Sequence, residues 1–194
     1  MNAPDLVAAL RPVLIVLGDL GVRHFVGGSI ASSAHGVARA SLDVDVVAEL
    51  ETVHVTRFVA ALHDSYYVDA ARVRAAVENR GSFNLIHLAT MFKVDVFVSR
   101  NRPFDLSAFA RAGTAAPGPG LESQSIPVAS AEDVLLAKLE WYRRGGDMSE
   151  RQWDDVVGIV RVGRGAIDVD YLRRWAAPLG VEDLLERILT QTEH

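Results

Sequence analysis

Apolar side chains recur at Leu6, Leu10, Val13, Leu14, Leu17 and Leu20, the three-and-four spacing that lines one face of a helix, and Gly21 follows as its stop. The period then shortens. "HFV" at 24–26 reads as a short strand running into Gly27 and Gly28, and Ser29 is placed to cap a short helix of small residues reaching His35. "LDVDVVA" at 42–48 alternates at its start and closes on valines, the pattern of a buried strand. Helices are expected at 52–63 and 70–79, with a short strand "YYV" between them. "SFNLIHLA" and "FKVDVFVS" are separated by about two residues, which predicts antiparallel neighbours in one sheet.

A helical turn near 104–111 precedes "GTAAPGPGLESQS", which is rich in glycine and proline, has no period and reads as a loop or boundary. Beyond it, Ser130 with Asp133 and Ser149 with Gln152 carry helix-capping patterns. Two further helices follow at 168–177 and 181–191. The expected class is α+β: a mixed β-sheet with flanking helices over residues 1–125, then a C-terminal helical bundle over 126–194.

Alternation decides where the charges go. Side chains point to opposite faces of a strand in turn, so Asp43 and Asp45 share one face while Leu42, Val44 and Val46 take the other. In "FKVDVFV" the same rule groups Lys93, Asp95 and Phe97 against Val94, Val96 and Val98. If the two strands are neighbours, Asp95 joins the pair. Three converging carboxylates repel, and at least one takes up a proton unless cations neutralise them. Hard oxygen ligands of this kind suit Mg²⁺ or Mn²⁺, which bind one or two carboxylates together with substrate phosphates. A glycine-serine turn ahead of a helix can aim backbone N–H groups at an anion. Together these parts describe a nucleoside triphosphate site.

Composition narrows the alternatives. The 194 residues are 49% apolar and 23% charged, as in globular domains. There is no cysteine, which excludes disulfides, thiolate metal sites and a cysteine nucleophile. No stretch approaches the roughly 20 apolar residues of a bilayer span, no leader pattern opens the sequence, and a cytoplasmic protein without membrane contact is expected. The net charge of −5 argues against nucleic-acid binding driven by bulk charge. Arg143, Arg144, Arg151, Arg161 and Arg164 form the densest basic region, either a phosphate-binding rim or a solvated face. The sole lysines are Lys93 and Lys138, placed either by chance or where a compact ammonium serves and a planar guanidinium fork does not.

"GGSIASSAHGVARASLDVDVV", with the later "KVDVF", resembles the signature of the DNA polymerase β-like nucleotidyltransferase superfamily. More narrowly, with "SAEDVLLAKLEWYRRGGDMSERQWDDVVGI", it resembles the minimal bacterial nucleotidyltransferases grouped with abortive-infection and toxin–antitoxin systems, including mycobacterial toxins. The resemblance implies transfer of a nucleoside monophosphate from a triphosphate to an acceptor hydroxyl, most plausibly the 3′ end of tRNA, by a toxin with a cognate antitoxin. A small molecule or a protein hydroxyl is the alternative acceptor, and an inactive interaction module the alternative to an enzyme. Carried over by position, Gly27, Gly28 and Ser29 would contact the triphosphate, and Asp43, Asp45 and Asp95 would hold two metals. Asp95 would also help activate the acceptor. Lys138 would steady the triphosphate, and Asp155 would support the site from the next helix. Arg39 would meet a phosphate or else form an exposed salt bridge. In related toxins a hydroxyl at the place of Ser41 can be phosphorylated during neutralisation, which would put about −1.5 to −2 charges beside the metal site.

Overall fold

The structure, a computed structural model, describes residues 3–35, 43–116 and 125–192. Arg39 and Ser41 lie outside the described residues. The chain opens with α1 (Ala3–Asp19), β1 (His24–Val26) and α2 (Gly28–Ala34), and continues with β2 (Asp43–Ala48), α3 (Thr52–Leu62), β3 (Tyr66–Tyr67) and α4 (Ala70–Glu78). A hairpin of β4 (Ser82–His87) and β5 (Lys93–Val98) follows, then α5 (Pro103–Arg111), β6 (Gly113–Ala115) and β7 (Ile126–Val128). Four helices end the described chain: α6 (Ala131–Arg144), α7 (Glu150–Val162), α8 (Val169–Leu179) and α9 (Glu182–Thr192).

The strands form one mixed sheet in the order β3-β4-β5-β2-β1-β7-β6. β4 and β5 are antiparallel, as their short connection requires. β2 and β5 are parallel, joined by the long excursion through α3 and α4. One face of this sheet is valine: Val44, Val46, Val94 and Val96 are fully buried. α1 packs over β1, β2 and β5 on that side, bringing Leu6, Leu10 and Leu17 into the core. The Tyr66 hydroxyl donates to the Ala9 carbonyl at 2.7 Å, tying the β3 edge to α1. On the opposite face α6 lies close, with the rings of Phe97 and Trp141 meeting edge to face at 5.8 Å. Among the described residues no helix is long and apolar enough to cross a membrane.

Two expectations need correction. β6 and β7 occupy stretches read as a loop and as the start of the helical part, yet β7 pairs with β1 through Val26 and Val128. The last strand of the sheet therefore ends at Val128. Both strands have three residues and Pro127 sits inside one, so neither carries a local period, and their pairing comes from partners distant in sequence. Ser29 is not the cap of α2: Gly27 holds that place without a side-chain bond, and Ser29 lies inside the helix. The caps expected at Ser130 and Ser149 are present, accepting from the Asp133 and Gln152 backbone N–H groups at 3.2 and 3.4 Å.

Candidate active site

The parallel register of β2 and β5 sets Asp45 directly beside Asp95 and Asp43 beside Lys93. Neighbouring strands are about 4.8 Å apart, so the polar faces of the two strands form a single patch over the valine layer. Like charges side by side destabilise a sheet. Lys93 answers part of that repulsion, with its ammonium 2.7 Å from Asp95 and 3.8 Å from Asp43. Asp45 sits deeper. Burial first, then the charges of Asp43 and Asp95, push its carboxyl up to about 6, against the pull of Lys138 and Lys93. The hydrogen bond to Asp95 holds Lys93 above its ordinary value.

Gly28 explains why the corner before α2 is glycine. Its φ is +55°, and a Cβ there would lie 1.7 Å from Asp45 Oδ2 and 2.7 Å from Cγ. No side chain fits beneath that carboxylate. The Gly27 N–H donates to the Asp45 backbone oxygen at 2.9 Å, so the turn is fastened to Asp45. Ser29 is buried on the first turn of α2. His35, at the other end, is spent on packing: its Nε2 meets the Ala129 carbonyl at 2.7 Å.

The far wall comes from the helical part. Lys138 on α6 and Asp155 on α7 form a buried pair at 2.8 Å. A buried ammonium needs such a partner, and the same charge acts on Asp45. The structure thus brings Gly27, Gly28, Asp43, Asp45, Asp95, Lys138 and Asp155 into one neighbourhood. Lys93 is the participant that position-by-position comparison missed. Its signal was present in the composition, because both lysines of an arginine-biased chain turn out to act on Asp45.

The donor set has the chemistry of a hard divalent cation site: carboxylate oxygens side by side on neighbouring strands, with a cation already drawn between two of them. As the side chains stand, no three histidine or carboxylate groups among the described residues gather around one point, and the Lys93 ammonium lies between Asp43 and Asp95. Carboxylate oxygens are the donors that Mg²⁺ and Mn²⁺ take, so the side-chain chemistry of Asp43, Asp45 and Asp95 suits such an ion.

Two arginines of the region read as either a phosphate-binding rim or a solvated face are held in ion pairs. Arg143 bonds Asp183 and Asp147, and Arg144 bonds Glu140 while its guanidinium lies 5.3 Å from the Trp141 ring centre.

No protein-family model matches this sequence, and neither does any curated protein. Solved structures do. The antibiotic-resistance factor ANT(2'')-Ia in solution aligns with a TM-score of 0.60 at 15% identity, covering 100% of both chains. A crystal structure of ANT(2'')-Ia in complex with adenylyl-2''-tobramycin aligns with a TM-score of 0.53 at 12% identity, over 90% of this chain and 96% of that one. An antigenic nucleotidyltransferase-like protein from Paracoccidioides brasiliensis gives 0.57 at 16% identity, over 98% and 94%. Across its full length, the chain has the fold of the nucleotidyltransferases.

Proposed function

We propose that the protein is a metal-dependent nucleotidyltransferase that moves a nucleoside monophosphate from a triphosphate to an acceptor hydroxyl. The observation that carries this reading is the ladder register of Asp45 and Asp95, with Asp43 on the same face and the Gly28 corner pressed against Asp45. Asp43, Asp45 and Asp95 would hold Mg²⁺ or Mn²⁺. Such ions, when bound, would supply electrostatic stabilisation of the charge that develops during phosphoryl transfer. Gly27, Gly28 and Ser29 face the triphosphate from the α2 corner, Lys138 steadies it, and Asp155 holds Lys138 in place. Asp95 stands on the acceptor side and helps activate the hydroxyl. The acceptor oxygen bonds to the α-phosphorus, the bond to the β-phosphate oxygen breaks, and pyrophosphate leaves. In this reading the catalytic part runs through Val128, and α6 to α9 form its wall.

The acceptor we favour is a small molecule bearing a hydroxyl. The net charge of −5 and the paired state of Arg143 and Arg144 disfavour a nucleic-acid surface. ANT(2'')-Ia, alike in fold over nearly its whole chain, is known in complex with an adenylylated small molecule. The tRNA toxin reading, with its antitoxin and a phosphorylated Ser41, is the second outcome of one experiment. The purified protein is incubated with Mg²⁺ and each α-labelled triphosphate, alongside aminoglycoside and other polyhydroxyl acceptors, total RNA and total protein. Label on the small molecules is expected. Label on tRNA restores the toxin reading. No label, with no thermal shift from any triphosphate, sinks the enzyme reading and leaves an interaction module.

A further inference from the structure

Lys93 lies two residues before Asp95 on β5 and directly beside Asp43 on β2. Its ammonium spans both carboxylates, at 2.7 and 3.8 Å. The side chain is 41% exposed, against 20% for Asp95, so it reaches into the acid cluster from the solvent side on a flexible four-carbon stem. An ammonium and a divalent cation cannot both take the same oxygens at contact distance, because their charges repel.

We propose that Lys93 is a resident counter-ion, holding the place of a divalent cation between Asp43 and Asp95 and swinging outward when one binds. This rests on the metal-dependent reading above. The device keeps β2 and β5 paired without a metal and makes divalent binding an exchange of one cation for another. Lysine suits this role because it is a point charge with rotatable donors, whereas arginine grips a carboxylate through a rigid two-point fork and is released less readily. The site therefore binds free divalent ions more weakly than its three carboxylates alone would.

The test needs no nucleotide and no turnover. Mn²⁺ is titrated into wild type, Lys93→Gln, Lys93→Arg and Asp95→Asn while electron paramagnetic resonance reads the free ion, and each form is melted in EDTA. Lys93→Gln is expected to bind Mn²⁺ about tenfold more tightly, which corresponds to about 1.4 kcal/mol. In EDTA it melts about 2–4 °C lower than wild type, and Mn²⁺ raises its melting temperature more than it raises that of wild type. Lys93→Arg, which keeps the charge, binds no more tightly than wild type and covers the case in which the glutamine variant fails to fold. Unchanged or weaker Mn²⁺ binding by folded Lys93→Gln overturns the proposal, as does tighter binding by Lys93→Arg. If Asp95→Asn binds Mn²⁺ as well as wild type does, or if no form binds it at millimolar concentration, the metal-dependent reading itself fails.

Discussion

Two groups of acids in this molecule are treated in opposite ways. At the junction of α5, α6 and α8, Glu132 accepts from Arg111 at 2.7 Å and from the Asp168 N–H at 3.0 Å. Asp133 beside it accepts from Ser130 at 2.6 Å and Tyr171 at 2.7 Å, and the Arg111 guanidinium lies 4.0 Å from the Tyr171 ring centre. Each oxygen has its own donor, so the cluster fastens three helices together. At the junction of β2 and β5 three acids share one face of two neighbouring strands: the Lys93 ammonium spans Asp95 and Asp43, and Asp45 feels the more distant pull of Lys138 and Lys93. Burial alone does not separate structure from site, since Asp133 is also pushed up by burial. What separates them is arrangement: Glu132 and Asp133 bond separate donors from three helices, whereas Asp43, Asp45 and Asp95 lie side by side around one shared ammonium.

The largest expected effect tests that distinction on the rate. Asp95→Asn or Asp45→Asn should lower nucleotidyl transfer by on the order of 10²–10³-fold, the usual loss of an electrostatic anchor of the transition state. Glu132→Gln should leave turnover per folded molecule near wild type and instead cost about 1–3 kcal/mol of stability, because it removes the charge that Arg111 and the Asp168 N–H bond. Turnover with active-site titration, beside urea melts, reads both. If Glu132→Gln lost its rate while keeping its stability, the two clusters would not be different in kind.

Gly28→Ala comes next. The left-handed backbone costs about 1–2 kcal/mol with any side chain, and the new Cβ would collide with the Asp45 carboxylate. Loss of transfer is expected together with a lowered melting temperature. A combined Gly28→Ala/Asp45→Gly variant should recover part of the stability and none of the activity. If it recovers none, the collision is not with Asp45.

Asp45 and Glu132 should also answer pH with opposite signs. Asp45 has a folded pKa of about 6 against an ordinary 3.8. The native state therefore holds a proton that the unfolded chain has released, and stability falls as pH rises through that window. The full loss above pH 6 is on the order of 2–3 kcal/mol, at about 1.4 kcal/mol per unit. Glu132 is held below its ordinary value by the Asp168 N–H and Arg111, even against burial, so its contribution is present above pH 4.5 and lost as pH falls. In EDTA, Asp45→Asn should exceed wild type in stability at pH 7 and converge with it near pH 4. The cost of Glu132→Gln should shrink in acid. Urea melts from pH 4 to 8 decide this, and parallel profiles for the two variants would count against the comparison.

How much of this was legible beforehand follows from which signals are local. Alternation at Asp43, Asp45 and Asp95 was enough to place three acids on polar strand faces, and the short β4–β5 connection was enough to predict their hairpin. The parallel register that sets Asp45 beside Asp95 is a contact between distant stretches, which no window of sequence contains. β6 and β7 were lost for the same reason. The glycines were legible as a turn ahead of a helix, but the steric demand on Gly28 comes from Asp45, a residue seventeen positions on. Lys93 was visible as half of an odd composition and as a neighbour of Asp95 on one strand face, but its reach to Asp43 lies across the strand pair.

Lys138 and Asp155 stand between the two kinds of cluster, and the smallest expected effect is the sharpest about them. They are paired and buried, like Glu132 and Arg111, yet the lysine also acts on Asp45. A joint Lys138→Met/Asp155→Leu replacement removes both charges at nearly constant volume, and such swaps of buried pairs are often neutral or stabilising. Stability at pH 4, where Asp45 is protonated in the native state, should therefore change by no more than about 1 kcal/mol. At pH 7 the variant should be less stable by a further increment, since one of the two charges lowering the Asp45 carboxyl is gone and its protonation window moves upward. A double variant whose stability difference from wild type is the same at pH 4 and pH 7 would make Lys138 a partner of Asp155 alone, and would move it from the site to the scaffold.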